Sequence, residues 1–170
     1  MEFKLAQAEH LDALWRITEE AKAQLRRLGL DQWQRGYPSR EDWVTDVAAG
    51  RIWMAVEGNE ILGAFLFQST PDPSYHEIDG AWLSDAPYAA IHRVCVSDAS
   101  KGKGVAGQMF QKGFEMARAL GRASVRIDTH AGNLPMQSAL KKAGFRRCGV
   151  ITLRGGCEDG NPRVAFEYIL

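Results

Sequence analysis

Apolar residues recur along the chain with two periods, and the switches between them lay out its elements. Glu2 to Gln7 is a short alternating run that suits a strand. From Leu11, the positions Leu11, Leu14, Trp15, Ala21, Leu25 and Leu28 fall on one helical face, and Gly29 is placed to stop the helix. Asp31 to Ser39 is a loop of aromatics and turn formers, including Trp33, Gly36, Tyr37 and Pro38. Ser39 followed by Asp42 resembles a capping box and opens a short helix whose expected buried face is Trp43, Val44 and Val47. Arg51 to Glu57 and Glu60 to Gln68 are apolar, β-branched and aromatic, and the Gly58-Asn59 pair between them predicts a hairpin. Ser69 to Pro87 is a long loop carrying Pro71, Pro73 and Pro87, of the length that usually serves a function.

The second half alternates strand and helix. Ala90 to Val96 reads as a strand, Gly104 to Leu120 as a helix with Val105, Met109, Phe110, Phe114, Ala117 and Leu120 inward, and Ala123 to Thr129 as a strand. Leu134 to Ala143 is a helix buried through Met136, Ala139, Leu140 and Ala143 and capped by Gly144. Phe145 to Leu153 and Val164 to Ile169 are two final strands joined by a turn-rich stretch. An antiparallel hairpin followed by a βαβ unit predicts an α/β fold, one mixed sheet covered by helices.

Composition narrows the class. The 170 residues are 45% hydrophobic and 25% charged, which predicts one folded domain spanning residues 1–170. Lys plus Arg and Asp plus Glu both number 21, so the formal net charge is zero and a general nucleic-acid binder is not expected. Cys95, Cys148 and Cys157 have no close metal-type spacing, so no metal site is expected. No apolar run approaches the ~20 residues that cross a bilayer, and the first residues carry no signal pattern. Free thiols in a reducing cytoplasm are the expectation.

The most informative stretch runs from Val96 to Gly107. It follows a strand and opens a helix. Gly102 and Gly104 remove side chains where a ligand must approach the backbone, and the helix's first N–H groups then point at that ligand. Lys101 and Lys103 add positive charge. These features describe a cradle for a phosphate or diphosphate, set against the plainer reading of a glycine-rich turn with solvated lysines. Gly102 to Gly107 also fits the dinucleotide pattern G-x-G-x-x-G, with Asp128 placed like a ribose-binding acid. Against that rival, a dinucleotide loop turns directly off its strand, whereas Ser97 to Lys101 intervene here. The preceding hairpin has no place in such a fold either.

With these residues the chain resembles the GNAT superfamily of N-acetyltransferases. The family's [QR]-x-x-G-x-[GA] is met by Lys101-Gly102-Lys103-Gly104-Val105-Ala106, with Lys at the first position, and its V-x-P by Val96-Ser97-Asp98, with Asp for Pro. Asn133 followed by Ala143-Gly144-Phe145 fits its N-x-x-A…G-F stretch. The stretches Asp31 to Gln34, Tyr37 to Ser39 and Ile127 to His130 look like a bacterial subgroup of uncertain substrate. The resemblance implies a GNAT-type acyl-CoA N-acyltransferase fold, with an N-terminal antiparallel part, a splayed parallel pair and helices on both faces. It implies acetyl-CoA as cosubstrate, lying where that pair parts. Lys101 to Ala106 would hold the diphosphate, with Gly102 to Ala106 supplying backbone N–H groups. Val94, Cys95 and Val96 would pair their backbone with the pantetheine arm. The Val96 N–H would stabilise the oxyanion that develops on the thioester. Asn133 would bond the cofactor arm or orient the helix start. The acceptor amine would attack directly.

Chemistry adds requirements of its own. A lysine-like amine with pKa near ~10.4 is about one part in a few thousand neutral at pH 7, a penalty of roughly 4–5 kcal/mol. A base or a desolvating pocket must offset it. The family often puts a Glu four residues before the Val of V-x-P, and here that position is His92. Imidazole accepts protons near neutrality, so His92 is the expected base, sharing a strand face with Val94 and Val96 by simple alternation. The family's proton-donating Tyr, seven residues after the Asn, is replaced by Leu140, which leaves water, Tyr88 or Ser138 as donors. Asp128 and His130 would form an acid–base pair, contact the acceptor or anchor a loop. Trp33 and Tyr37 would floor the acceptor pocket, and Glu77 and Trp82 would shape a lid. Cys95 is expected to be a buried apolar filler. The acceptor is an amine of a small molecule or peptide, and the C-terminal strands are where two subunits would pair. The alternatives are a non-catalytic acyl-CoA-binding module of this fold, suggested by Leu140, and a dinucleotide-dependent oxidoreductase.

Overall fold

The Gly58–Asn59 turn folds β2 (Ile52–Glu57) back on β3 (Glu60–Gln68), with Glu57 opposite Glu60. β1 (Glu2–Leu5) pairs antiparallel with β2, and β5 (Tyr88–Val96) pairs antiparallel with β3. The computed structural model describes residues 1–170 and holds one mixed sheet in the order β1-β2-β3-β5-β6-β8-β7-β4. β6 (Ser124–Thr129) is parallel to β5, and β8 (Pro162–Ile169) and β7 (Arg146–Thr152) complete the far side antiparallel.

β4 (Asp79–Gly80) is a two-residue strand inside the stretch that reads as loop. Its partner for Gly80 is Gly149, and a Cβ on either glycine would lie 2.2 Å or less from the other strand's backbone. Two facing glycines make that approach possible, and a strand so short leaves no alternation to read.

Helices cover both faces, as expected. α1 (Leu11–Arg27) and α2 (Arg40–Ala48) bury Leu14, Ile17, Trp43 and Val47 against Ile52, Met54, Ala64 and Leu66. α3 (Val105–Ala119) and α4 (Leu134–Lys142) bury Met109, Phe110, Phe114 and Leu140 against Phe65, Ile91, Val125 and Phe166. The capping box at α2 is present: Ser39 Oγ accepts from Asp42 N–H at 3.1 Å, and Ser39 N–H donates to Asp42 Oδ2 at 2.6 Å. Val44 faces solvent, and Asp46 takes the buried place that periodicity gives to Val44.

The sheet opens in its middle. β5 and β6 pair only from Tyr88–Ser124 to Ala90–Arg126. Beyond Ala90, β5 stays on β3 and β6 stays on β8. Between them β5 carries a bulge, because the register passes from Leu66–His92 to Ala64–Cys95, and Arg93 adopts φ 50°. A bulge adds one residue and bends its strand. The extra residue also resets the alternation, so His92, Val94 and Val96 do not share a face. Val94 and Val96 pack toward α3, whereas His92 stands over Leu66 on the α1–α2 side.

The long β3–β5 connection is pinned to the sheet. Fully buried Glu167 on β8 accepts from Ser124 Oγ (2.5 Å), Arg126 Nε (2.9 Å) and the N–H of Leu83 (2.5 Å), and Arg126 Nη2 donates to Ser84 O at 2.6 Å. Replacing Glu167 by Ala strands a buried guanidinium. The expected cost is about 3–5 kcal/mol in urea unfolding, and a loss below about 1 kcal/mol would show that the network does not hold the connection.

Candidate active site

The glycine loop turns tightly into α3. Gly102 and Gly104 take φ 76° and 78°, a conformation that favours glycine, and Gly104 is the N-cap of α3. The first bond back into the helix is Gln108 N–H to Gly104 O, so the N–H groups of Gly102, Gly104, Val105, Ala106 and Gly107 carry no backbone partner. Apart from the adjoining residues and the helix's own backbone, no heavy atom lies within 4 Å of where a Cβ would stand on Gly102, Gly104 or Gly107. Open space, free donors and a helix N-terminus together fit an anionic group such as a diphosphate. Lys101 lines this space but is tied to Asp98; Lys103 is exposed and is not part of the wall.

The cradle opens into a cleft of about 1190 Å³ that runs through the split between β5 and β6. Ser97 N–H donates to Leu62 O at 2.9 Å. In an antiparallel ladder the next pair, Gly63–Val96, is then the open kind, whose N–H and C=O point away from the shared edge. The Val96 N–H therefore points into the split. Val94, Cys95 and Val96 line the cleft, with α4 opposite through Pro135, Met136 and Ala139. Asn133 caps α4, its side chain accepting from Met136 N–H at 3.3 Å, and it lines the same wall.

On the other side of the split the cleft becomes ionisable. His92 Nε2 stands 3.1 Å from Asp72 Oδ2, close enough for an ion pair but poorly aligned for a hydrogen bond. Tyr75 packs its ring 5.8 Å from His92 and donates its hydroxyl to Asp128 Oδ1 at 2.7 Å. Burial raises the Asp128 carboxyl, with His92 and Tyr75 opposing. Burial also pushes the Asp72 carboxyl up, but His92 and the Ser74 N–H outweigh it and leave Asp72 below the usual carboxylate range. Burial, then Asp128, drives the Tyr75 phenol well up.

The α1–α2 loop and the β7–β8 loop form the remaining wall. Trp33 takes φ 63° and donates its N–H to Glu158 Oε1 at 2.7 Å, and Glu158 is paired with buried Arg163 at 3.2 Å. Tyr37, before a cis Pro38, accepts from Arg93 Nε at 3.0 Å. The Arg93 guanidinium also reaches Asp46 at 2.6 Å and lies over the rings of Tyr37 and Trp43. Trp33, Tyr37, Asp72, Asp128, Glu158 and Arg163 all line the cleft.

A family model for the acetyltransferase (GNAT) family matches residues 12–145. The chain belongs to the GNAT acetyltransferase family. This family transfers the acetyl group of acetyl-CoA. A crystal structure of a GNAT-family acetyltransferase from Streptococcus agalactiae 2603 is 31% identical, covers 99% of this chain and 95% of that one, and superposes with a TM-score of 0.89. A GNAT-family acetyltransferase from Listeria monocytogenes 4b F2365 is 17% identical over 99% and 94% of the two chains, with a TM-score of 0.72. A Bacillus subtilis acetyltransferase in complex with CoA is 18% identical over 99% and 98%, with a TM-score of 0.65, and shares the fold. No protein of curated function matches the chain in sequence.

Other residues singled out from GNAT motifs or from the loops fall differently. Glu77 is exposed, pairs with Arg154 at 3.2 Å and is not part of the cleft wall. His130 anchors a loop: Nδ1 accepts from Gly132 N–H at 2.9 Å and Nε2 stands 3.2 Å from Asp31 Oδ1, so it neither pairs with Asp128 nor lines the cleft. Trp82 is fixed by its Nε1–H to Tyr75 O (3.0 Å) and by the Arg126 guanidinium over its ring, which makes it a prop rather than a lid. Leu140 is fully buried in the core. The Tyr88 hydroxyl accepts from Asp72 N–H at 2.8 Å, whereas Ser138 lines the cleft. Asp72, Tyr75, Arg93, Glu158 and Arg163 carry no motif, and pattern reading passes over them.

Cys95 borders the cleft, but its backbone belongs to the hydrogen-bonded pair with Ala64 and faces β3; its thiol is buried beside Ala64 O, and burial pushes that thiol up to about 12. A neutral thiol reagent should label exposed Cys157 and spare Cys95 until the chain unfolds, as read by peptide mass mapping. A raised folded value contributes stability below the ordinary thiol range and loses it as pH climbs toward about 12. Alkaline denaturation should therefore weaken the wild type more than a Cys95→Ala variant; equal slopes would contradict the burial of that thiol.

Proposed function

We propose that this GNAT protein transfers an acetyl group from acetyl-CoA to a primary amine of a small molecule or peptide, by direct attack in a ternary complex. The observation that carries the reading is one continuous cleft. It joins the unpartnered N–H groups at the start of α3, the Val96 N–H in the split, and His92 with its acidic neighbours.

Acetyl-CoA supplies an acetyl thioester. Gly102, Gly104, Val105, Ala106 and Lys101 hold its diphosphate, with the α3 dipole favouring the charge. The open backbone edge of Val94 to Val96 takes the amide-bearing arm as a strand takes a partner. The Val96 N–H is preorganised toward charge that builds on the thioester oxygen, where one such donor is typically worth ~3–4 kcal/mol of barrier. Asn133 sets the start of α4 along that arm. His92 takes the proton that an ammonium acceptor must lose, while Trp33 and Tyr37 wall off water around it. Thiolate departs without a dedicated acid, since an ordinary thiol near pKa ~8.5 is a fair leaving group. Three free cysteines suit a reducing cytoplasm.

A second reading, a non-catalytic acyl-CoA-binding module, draws on Leu140, which fills with core hydrocarbon the place of the family's proton donor. Thiol release from acetyl-CoA across a panel of amines separates the two: turnover with any amine supports the enzyme, and tight binding without turnover supports the module. Gly104→Glu should abolish acetyl-CoA binding in calorimetry while NADH binds neither protein, and unchanged affinity for acetyl-CoA would refute the cradle. His92→Ala should lower kcat by on the order of 100-fold and remove the acid limb of its pH profile; an unaltered profile would retire His92 as the base.

A further inference from the structure

Asp72 is held by groups that leave one of its oxygens free to face His92. Its Oδ1 accepts from Ser74 N–H at 2.8 Å, which opens the 3-10 turn Pro73–Tyr75, and its own N–H donates to the Tyr88 hydroxyl at 2.8 Å. Tyr88 lies where β5 still pairs with β6, so the rigid part of the sheet fixes Asp72. Oδ2 is left 3.1 Å from His92 Nε2. That nitrogen is buried, whereas Nδ1 makes no hydrogen bond within the protein and His92 lines the cleft. His10 and His130 do the reverse, each using Nδ1 to accept a backbone N–H at 2.9 Å, from Gln7 and Gly132.

A neutral imidazole carries one hydrogen, and the partner of one nitrogen decides which nitrogen holds it. A carboxylate only accepts, and its negative charge 3.1 Å from Nε2 favours the form with hydrogen on that nitrogen even where the contact is not a well-aligned hydrogen bond. We propose that Asp72 is a positioning residue for acetyl transfer, holding His92 with its hydrogen on Nε2 so that the lone pair on Nδ1 faces the acceptor amine. This rests on the assignment of His92 as base made above. The other ionisable groups around the ring are Tyr75 from the same connection, Asp128 from β6, and Arg93 beside it on β5. Tyr75 and Asp128 are bonded to each other, and Arg93 is turned to Asp46 and Tyr37, so Asp72 is the group whose charge stands beside an imidazole nitrogen, at 3.1 Å.

The proton balance is simple. The ammonium acceptor gives one proton to Nδ1 and becomes nucleophilic. As the C–N bond forms and the C–S bond breaks, the second proton passes through water to the departing sulfur. Nδ1 then releases its proton to solvent. One proton is freed per turnover, and no oxidant or reductant takes part.

Nitrogen NMR of histidine-labelled wild-type protein, with the His92 signal assigned by its loss in His92→Gln, reads the tautomer directly. The expected result is hydrogen on Nε2; hydrogen on Nδ1 overturns the proposal whatever any variant does. Asp72→Asn keeps an acceptor for the Ser74 N–H and should lower kcat by on the order of 100-fold with KM for acetyl-CoA unchanged, and Asp72→Glu should recover part of the loss. An Asp72→Asn protein that retains its kcat while His92→Ala has lost it overturns the positioning role alone. If His92→Ala also keeps full turnover, the base assignment itself has failed and this proposal falls with it.

Discussion

An unfilled backbone edge in the middle of a sheet is the constraint on which the rest of this molecule depends. The outer strands leave open edges at the sheet's rim, but β5 loses β6 after Ala90 in the middle of the sheet and continues alone on that side to Val96. Backbone polar groups facing a confined gap need partners. The start of α3 presents the same need a few residues later, with free N–H groups and a positive dipole end. An extended chain with amide groups at one end and a diphosphate at the other answers both at once. In this family acetyl-CoA supplies such a chain.

The bulge beside the gap centres on one residue. Arg93, at φ 50°, is a position where a side chain is strained by about 1–3 kcal/mol. It is held there by a charged contact to buried Asp46, a hydrogen bond to Tyr37 and the ring faces of Tyr37 and Trp43. These contacts link the bulge to α2 and to the α1–α2 loop, which forms part of the cleft wall. The residue at the bulge therefore also fixes the pocket wall beside the gap. The two halves of the cleft then differ in kind: unpartnered backbone N–H groups and a helix N-terminus line one, whereas side-chain carboxylates, guanidinium groups and rings line the other. On the ionisable side Asp72 faces His92, Asp46 faces Arg93 and Glu158 faces Arg163.

The glycine loop and its free N–H groups were legible in the sequence because they are local. Gly102, Gly104 and the helix after them lie within a few residues of one another, and their chemistry follows from conformation alone. The element order and the mixed sheet were legible for the same reason, since each element has its own period. The ionisable half of the cleft was not. Simple alternation placed His92 with Val94 and Val96, and it failed because a bulge leaves no mark in a run of apolar residues. Asp72 and Tyr75 sit in a stretch without periodicity, and Trp33 meets Glu158 across most of the chain. Val44, Leu28 and Leu120 fit helical faces but lie at the margins of the buried stripe, where solvent takes them. Asp46 shows the converse, a carboxylate buried because two arginines, Arg51 and Arg93, converge on it.

Amide proton–nitrogen spectra recorded with and without coenzyme A test the central claim most directly. The resonances of Gly102, Gly104, Val105, Ala106, Gly107 and Val96 should move together on saturation, and their exchange with solvent should slow as the empty edge gains its partner. Binding that shifts other amides while these stay in place, still exchanging freely, would contradict the account.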